Sequence, residues 1–398
     1  MNNLRKFLIY FIQLKLPVKK NTVFFSSFHG TYSDNPKYVS LKLHEKCPSA
    51  KIYWAIDSNK SHAALPDYVT PVEFQSKEYF KLNCRAQVLV DNFSGNRTTL
   101  VQRGEGAIKR KLLKYVAKKR KKQFSVTTWH GTPLKRISAD EPDSKIIGFN
   151  NNCEYVLAGC DFTAECMRSC FLDSLPIKKY GSPRNDILFD DSVDKSAIRR
   201  RLNLPENLKI ALYAPTFRNN VEDSGASQMR ELDFEKLFAA LQAKFGGEWC
   251  LAVRVHQKVL LQIDVQGLAA RYGGRILSGN VGDDMAEYLV CADLLITDYS
   301  SSMFDFALTN KPCILYVPDR AHYEGEERGF YMDFDSLPFP AAKNSAELSA
   351  LIENFDVQSY CKGVEDLLQR LGNFEDGRAS ERVVDDVINF LNHNGKRD

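Results

Sequence analysis

Apolar, β-rich runs alternate with helical stretches along most of this 398-residue chain, and they fall into two series. The first comprises residues 23–28, 52–56, 88–91, 124–129 and 155–158. The second comprises 210–214, 250–255, 275–277, 294–297 and 313–317. Strands of nearly continuous apolar sequence separated by helices specify βαβ units and parallel sheets. A chain of this length is also too long for one ordinary core. Two Rossmann-like α/β lobes with a cleft between them are therefore expected. The turn-rich stretch Gly181-Ser182-Pro183-Arg184-Asn185-Asp186 lies between the two series and marks the boundary. It gives a first lobe over 21–186 and a second over 187–375, entered through a helix over about 192–202. A closing helical segment, 376–398, carries helical spacing at Val383, Val384, Val387, Ile388 and Leu391, and is expected to dock back across the lobes. Ser380 is its predicted N-cap. The polar residues 219–229 read as a mobile loop over the cleft.

Ligands in such sheets lie beyond the C-terminal ends of the strands, so the polar residues there carry the functional argument. Trp129-His130-Gly131-Thr132-Pro133-Leu134-Lys135 follows the fourth run of the first series. A neutral imidazole at His130 can take a proton from a hydroxyl at neutral pH. Gly131 to Pro133 shape a tight turn, and Lys135 adds a nearby cation. In the second series, Thr297-Asp298-Tyr299-Ser300-Ser301-Ser302 opens a helix. Its hydroxyls and N–H groups suit an anion. Capping alone would explain one serine, not three. Asp305, about one turn on, could reach a ribose hydroxyl. Arg254 and His256 share one side of a strand end and could meet a diphosphate from two points. Thr216 and Arg218 end another strand of the same lobe. Arg328 follows a polar loop and could close over phosphates. Ser27 to Gly30 and Ser33 to Pro36 could line the acceptor side. For each of these, an ordinary capping, salt-bridging or loop role is the competing reading.

Composition narrows the class. With 54 Lys and Arg against 50 Asp and Glu the net charge is only +4, and 44% hydrophobic and 26% charged residues fit a globular protein. The basic charge is concentrated in 109–122, where nine of fourteen residues are Lys or Arg and none is acidic. Such a run reads as a surface for anions, either a phospholipid headgroup layer or a polyanionic polymer. No nucleic-acid module accompanies it, so nucleic acid is not an expected partner. The 10 cysteines include no CxxC pair and no zinc-type spacing, and read as reduced core residues. Residues 1–20 form a short basic, apolar segment, too short to span a bilayer. It lies either in a membrane interface or packed on the first lobe.

The ordered set WHGTPLK, GSPRND, APTFR, RVH, TDYSSSMFDFAL and ERGFY, together with SFHG-x-x-SDNPKY over 27–38, resembles the CDP-glycerol glycerophosphotransferase family. That family holds the teichoic-acid primases and polymerases and related capsule polymerases. The resemblance runs from about residue 23 to 331. It implies the glycosyltransferase-B architecture and peripheral association with the cytoplasmic membrane face. It also implies His130 as general base. His256 with Arg254, Ser300, Ser301 and Arg328 would hold the pyrophosphate, and Asp298 and Asp305 would help fix the nucleotide. Lys135, Arg184, Thr216 and Arg218 complete the expected substrate contacts. The donor would be CDP-glycerol and the acceptor a polyol phosphate or lipid-linked saccharide, with CMP released. Neither cofactor nor essential metal is expected, since no DxD motif ends a strand. CDP-ribitol as donor, a nucleotide-sugar glycosyltransferase of the same fold, and a polymer-binding protein without activity are the alternatives.

Overall fold

The computed structural model describes residues 3–60, 64–92, 120, 122–142, 153–171, 176–216, 225–255, 263–320 and 329–393. Thirteen strands are found among these residues: β1 (Lys19–Ser26), β2 (Lys51–Ile56), β3 (Val69–Glu73), β4 (Ala86–Asp91), β5 (Phe124–Thr127), β6 (Tyr155–Leu157), β7 (Ile177–Lys178), β8 (Lys209–Tyr213), β9 (Trp249–Val253), β10 (Ile276–Ser278), β11 (Leu294–Thr297), β12 (Cys313–Tyr316) and β13 (Ala341–Ala342). They form two parallel sheets, ordered β3-β2-β1-β4-β5-β6-β7 and β10-β9-β8-β11-β12-β13. Each sheet grows outward from its first strand in one direction and then reverses. The reversal falls between β1 and β4 in one sheet and between β8 and β11 in the other. Two Rossmann-type sheets therefore face one another, and each has its ligand crevice at the point of reversal.

All ten runs read as strands lie in these sheets. The three strands not anticipated, β3, β7 and β13, are edge strands. Two have only two residues, and β3 carries Pro71. Such strands bury too little to leave an apolar run in the sequence. The central strands are buried along almost their whole length, for example at every residue of β4, β9, β11 and β12. Helices cover both faces of the sheets, as the continuous apolar pattern requires.

Three connections depart from expectation. Gly181 to Asp186 is more than a turn: Pro183–Leu188 is a 3-10 helix with Pro183 and Asn185 buried. The helix entering the second sheet is shorter than read, Lys195–Arg201, and is capped by Asp194. The terminal helix Ala379–Asn392 does return to the first lobe, where Val383, Val384, Val387 and Phe390 join the core around Val23, Phe25 and Trp54. Its cap is not Ser380. Asp186 accepts from the main-chain nitrogens of Ala379 (3.0 Å) and Ser380 (2.7 Å). The cap comes from the boundary segment, distant in sequence, which no local reading finds. Of the expected loop over 219–229, residues 217–224 lie outside the described residues, and Gly225–Arg230 is a short helix.

The N-terminal helix Asn3–Lys15 settles partly on the first lobe, with Ile9 and Leu14 against the cluster of Phe24, Tyr79, Phe80 and Leu82. Leu8, Phe11, Ile12 and Leu16 remain exposed. Among the described residues no helix is long and apolar enough to cross a membrane.

Candidate active site

The loops that follow β1, β5, β8, β9, β10 and β11 converge on one cleft of about 510 Å³ between the sheets. Phe28, Ser33, Asp34 and His130 line it from the first lobe. Ala214, Pro215, Arg254, Asn280, Asp283 and the three serines 300–302 line it from the second, and Arg184 lies at the join. Strain gathers at the first-lobe rim. Phe28, His29, Asp34 and Trp129 all have positive φ, between 38° and 62°. Each such residue costs of order 1–3 kcal/mol and persists only where its surroundings hold it. Asn35 does much of the holding, since its Nδ2 donates to the carbonyls of Thr128 (3.0 Å) and Trp129 (2.8 Å).

His130 is fixed by its ring as well as its backbone. Its Nδ1 lies 2.8 Å from the main-chain oxygen of Asn92, a pairing in which only Nδ1–H can donate. The proton on Nδ1 leaves Nε2 with its lone pair. The ring stacks on Trp129 at 4.2 Å and meets Phe28 edge-on at 5.6 Å. Burial pushes the imidazole below its ordinary pKa; the Asn92 hydrogen bond and the Asp34 charge partly offset this, and the Arg184 charge adds to it. An imidazole held so is neutral at pH 7 and able to accept a proton at Nε2.

Arg184 ties the lobes together beside this histidine. Its Nη1 bonds Asp34 Oδ1 at 3.1 Å, and its Nη2 bonds Asp305 Oδ2 at 2.5 Å. Its main-chain nitrogen bonds Asn35 Oδ1 at 2.9 Å. Burial opposes the guanidinium charge, but the two carboxylates outweigh it and hold the group firmly protonated. Its Nε is buried and has no hydrogen-bond partner among the described residues. Gly131 makes room for this group. With φ at +115°, a Cβ there would fall 2.2 Å from Arg184 Nη2 and 3.5 Å from Ser301 Oγ. The turn after the histidine, the arginine and the serines therefore meet at one point.

The other expected contacts divide. Ser300 and Ser301 line the cleft. Ser300 Oγ accepts from Ser302 Oγ (2.9 Å) and from the Ser302 nitrogen (3.3 Å). Ser301 stands at the N-cap position without a side-chain cap bond, so its hydroxyl is not spent on capping. The helix behind them, Ser302–Ala307, has only six residues. So short a helix has little macrodipole, and anion binding here rests on hydroxyls and arginines. Arg254 lines the cleft, with its guanidinium on the carbonyls of Gly279 (2.8 Å) and Asp283 (2.9 Å) and over the Tyr288 ring.

Asp305 lines the cleft, and both its carboxylate oxygens are engaged by neighbouring side chains. Its Oδ2 accepts from Arg184, and its Oδ1 accepts from Asn185 Nδ2 at 3.2 Å. Burial raises its pKa and the Arg184 charge counters this. Asp298 is fully buried, and its carboxylate accepts from the Thr216 nitrogen (2.9 Å) and hydroxyl (2.6 Å). Both contacts brace the loop after β8, so Asp298 and Thr216 support the cleft rather than line it. Lys135 sits in a short antiparallel bridge with Phe330 that stitches the lobes together. His256, Arg218 and Arg328 lie outside the described residues.

A polar seam beside the cleft escaped the sequence reading. Lys37 Nζ bonds Asp284 Oδ2 at 2.8 Å and also Glu287, Tyr38 OH bonds Asp284 at 2.7 Å, and Arg201 bonds Glu287 at 3.0 Å. Burial raises the Asp284 pKa, but Lys37 and Tyr38 outweigh it and leave the carboxyl below its ordinary value. The only sequence signal was Asp284 as a cap before an apolar helix. Partners about 250 positions apart leave no local trace. Among the described residues no group of three or more His, Cys, Asp or Glu is arranged to hold a metal ion.

Comparison with known proteins bears on the family and the fold. Teichoic acid poly(glycerol phosphate) polymerase of Bacillus subtilis (strain 168) is 29% identical over 96% of this chain and 50% of its own length. Teichoic acid glycerol-phosphate transferase of Staphylococcus aureus (strain NCTC 8325 / PS 47) is 28% identical over 94% of both chains. The chain thus spans about half the length of the polymerase and nearly all of the transferase. A solved structure of the wall teichoic acid polymerase TagF superposes with a TM-score of 0.78 and 26% identity over 98% of this chain and 94% of that one. It supports the glycosyltransferase-B-like reading of the two lobes. The model of the CDP-glycerol:poly(glycerophosphate) glycerophosphotransferase family matches residues 8–389, and this chain belongs to that family.

Proposed function

We propose that the protein transfers glycerol phosphate from CDP-glycerol to a hydroxyl of a polymeric or membrane-linked acceptor in teichoic-acid or capsule polymer synthesis, and releases CMP. His130 Nε2 takes the proton of the acceptor hydroxyl. The freed oxygen attacks the phosphorus that bears glycerol. The bond from that phosphorus to the bridging oxygen breaks, and CMP departs with the electron pair. Arg184, Arg254, Ser300 and Ser301 hold the phosphates and offset charge on the transferring group. The observation that carries the reading is His130 fixed as its Nδ1–H tautomer, directly across the cleft wall from Arg184 and the serines. Family membership supports the donor class. Ribitol-phosphate polymerases also occur among the relatives, one being 33% identical over 52% of this chain, and they support CDP-ribitol as the second reading.

The same reading places the protein on the cytoplasmic face of a membrane. The exposed Leu8, Phe11, Ile12 and Leu16 support this. So does Arg120, at the end of the basic run, whose Nη2 bonds the Leu16 carbonyl at 2.7 Å and sets cationic and apolar groups side by side. The rest of that run lies almost wholly outside the described residues.

The test is nucleotide release by purified protein given CDP-glycerol with a glycerol-phosphate oligomer, a lipid-linked disaccharide or a capsule fragment. Acceptor-dependent CMP is expected, and His130→Ala should lower turnover by about a hundredfold or more while donor binding holds. A near-normal rate in that variant removes His130 as the base. CMP only with CDP-ribitol would establish the second reading, and a nucleoside diphosphate from a nucleotide sugar would overturn both.

A further inference from the structure

Asn92 is the first residue beyond β4, and its side chain is fully buried. Its amide makes three bonds. Oδ1 accepts from the Phe28 nitrogen at 3.1 Å, and Nδ2 donates to Ser27 Oγ at 3.1 Å and to Asp34 Oδ2 at 2.7 Å. All three partners lie in the strained segment after β1, where Asp34 opens the helix Asp34–Lys46. Its main-chain oxygen accepts from His130 Nδ1 at 2.8 Å. One residue earlier, the Asp91 oxygen accepts from the Thr128 nitrogen at 2.7 Å. Just past the last β4–β5 main-chain bond, the His130 imidazole thus supplies a side-chain donor to the carbonyl that follows β4.

We propose that Asn92 is a positioning residue: its carbonyl selects the tautomer and direction of His130, while its amide ties that carbonyl to Asp34 and so to the Arg184 bridge between the lobes. This rests on the reading of His130 as the proton acceptor. Asn suits the position where its relatives do not. Asp would lose both donated bonds and set a second carboxylate against Asp34. Gln would need a longer cavity than a fully buried site offers. The link runs Asn92–Asp34–Arg184–Asp305. Separation of the lobes would therefore pull on the same amide that aligns the base. Correct alignment accompanies lobe contact, and an open cleft would hold a less competent histidine.

The experiment uses the full-length protein and long-range ¹H–¹⁵N spectra of its histidine rings, with the His130 signals identified by their loss in His130→Ala. Free imidazoles favour the Nε2–H form, so an Nδ1–H ring is distinctive. Asn92→Ala should shift His130 away from the Nδ1–H pattern. It should also lower kcat by about 10- to 100-fold, with little change in KM for the donor. Asp34→Asn, isosteric and milder for folding, should produce the same tautomer shift to a smaller degree. An unchanged Nδ1–H ring in Asn92→Ala overturns the proposal, whatever the rate. Should that variant not fold, an unchanged ring in Asp34→Asn overturns it instead. Full turnover by His130→Ala refutes the base assignment alone; the tautomer result then still decides whether Asn92 orients the ring.

Discussion

Gly131→Ala isolates geometry from charge, because it adds one methyl and removes no hydrogen-bonding or titratable group. The added Cβ would lie 2.2 Å from Arg184 Nη2 and 3.2 Å from its Cζ. Ordinary contact needs about 3.5 Å, so the guanidinium end must retreat by about 1 Å. Arg184 is the far end of a long side chain, but it is not free to swing. Asp34 and Asp305 hold it from two sides. Retreat therefore stretches a charged hydrogen bond worth about 1.5–3 kcal/mol. At 1.36 kcal/mol per tenfold, that loss amounts to about ten- to a hundredfold in kcat/KM if the arginine serves the transition state. An alanine at φ +115° adds backbone strain of order 1–3 kcal/mol, which appears as lower stability. The assay pairs acceptor-dependent CMP release with a urea unfolding curve. A folded Gly131→Ala protein with kcat/KM within twofold of wild type would refute the argument that the histidine turn is shaped around Arg184.

Two further outcomes are expected. Burial lifts the Glu375 carboxyl to about 8, against 4.5 when exposed, so folding takes up a proton there. Its stabilising contribution is complete below 4.5 and fades as pH rises through about 8. Glu375→Gln should flatten stability against pH between those limits, and an unaltered slope in urea unfolding would disprove the raised carboxyl pKa. Binding to anionic liposomes should weaken as salt rises and fall further in Phe11→Ser with Ile12→Ser; sedimentation with vesicles that ignores both changes would remove the membrane reading.

The ten anticipated strands were legible because a strand covered on both faces must be apolar along its length, and that pattern survives without knowledge of its neighbours. His130 and the serine run were legible for a related reason: ligand sites of parallel sheets fall just past strand ends, and polar residues there stand out. Arg184 was legible as a substrate contact only through the family resemblance, and its bridging role was not, since its partners Asp34 and Asp305 lie 150 and 121 positions away. Asn92 left no signal beyond its place after a strand. Asp298 and Asp305 carry contacts that no local reading finds: one carboxylate braces Thr216 and the other holds Arg184.

The sequence by itself determined the two parallel sheets, the loops that bear polar groups and the residue types able to move a proton and hold an anion. Those properties follow from local periodicity and from the chemistry of single side chains. Only the tertiary structure decided which groups meet: Asn92 with His130, Arg184 with a carboxylate from each lobe, Asp186 with the terminal helix, and Lys37 with Asp284 and Glu287. Each of these pairs spans dozens to hundreds of residues. Their burial and charge balance, and hence the protonation of His130 and Glu375, exist only once the lobes have closed on one another.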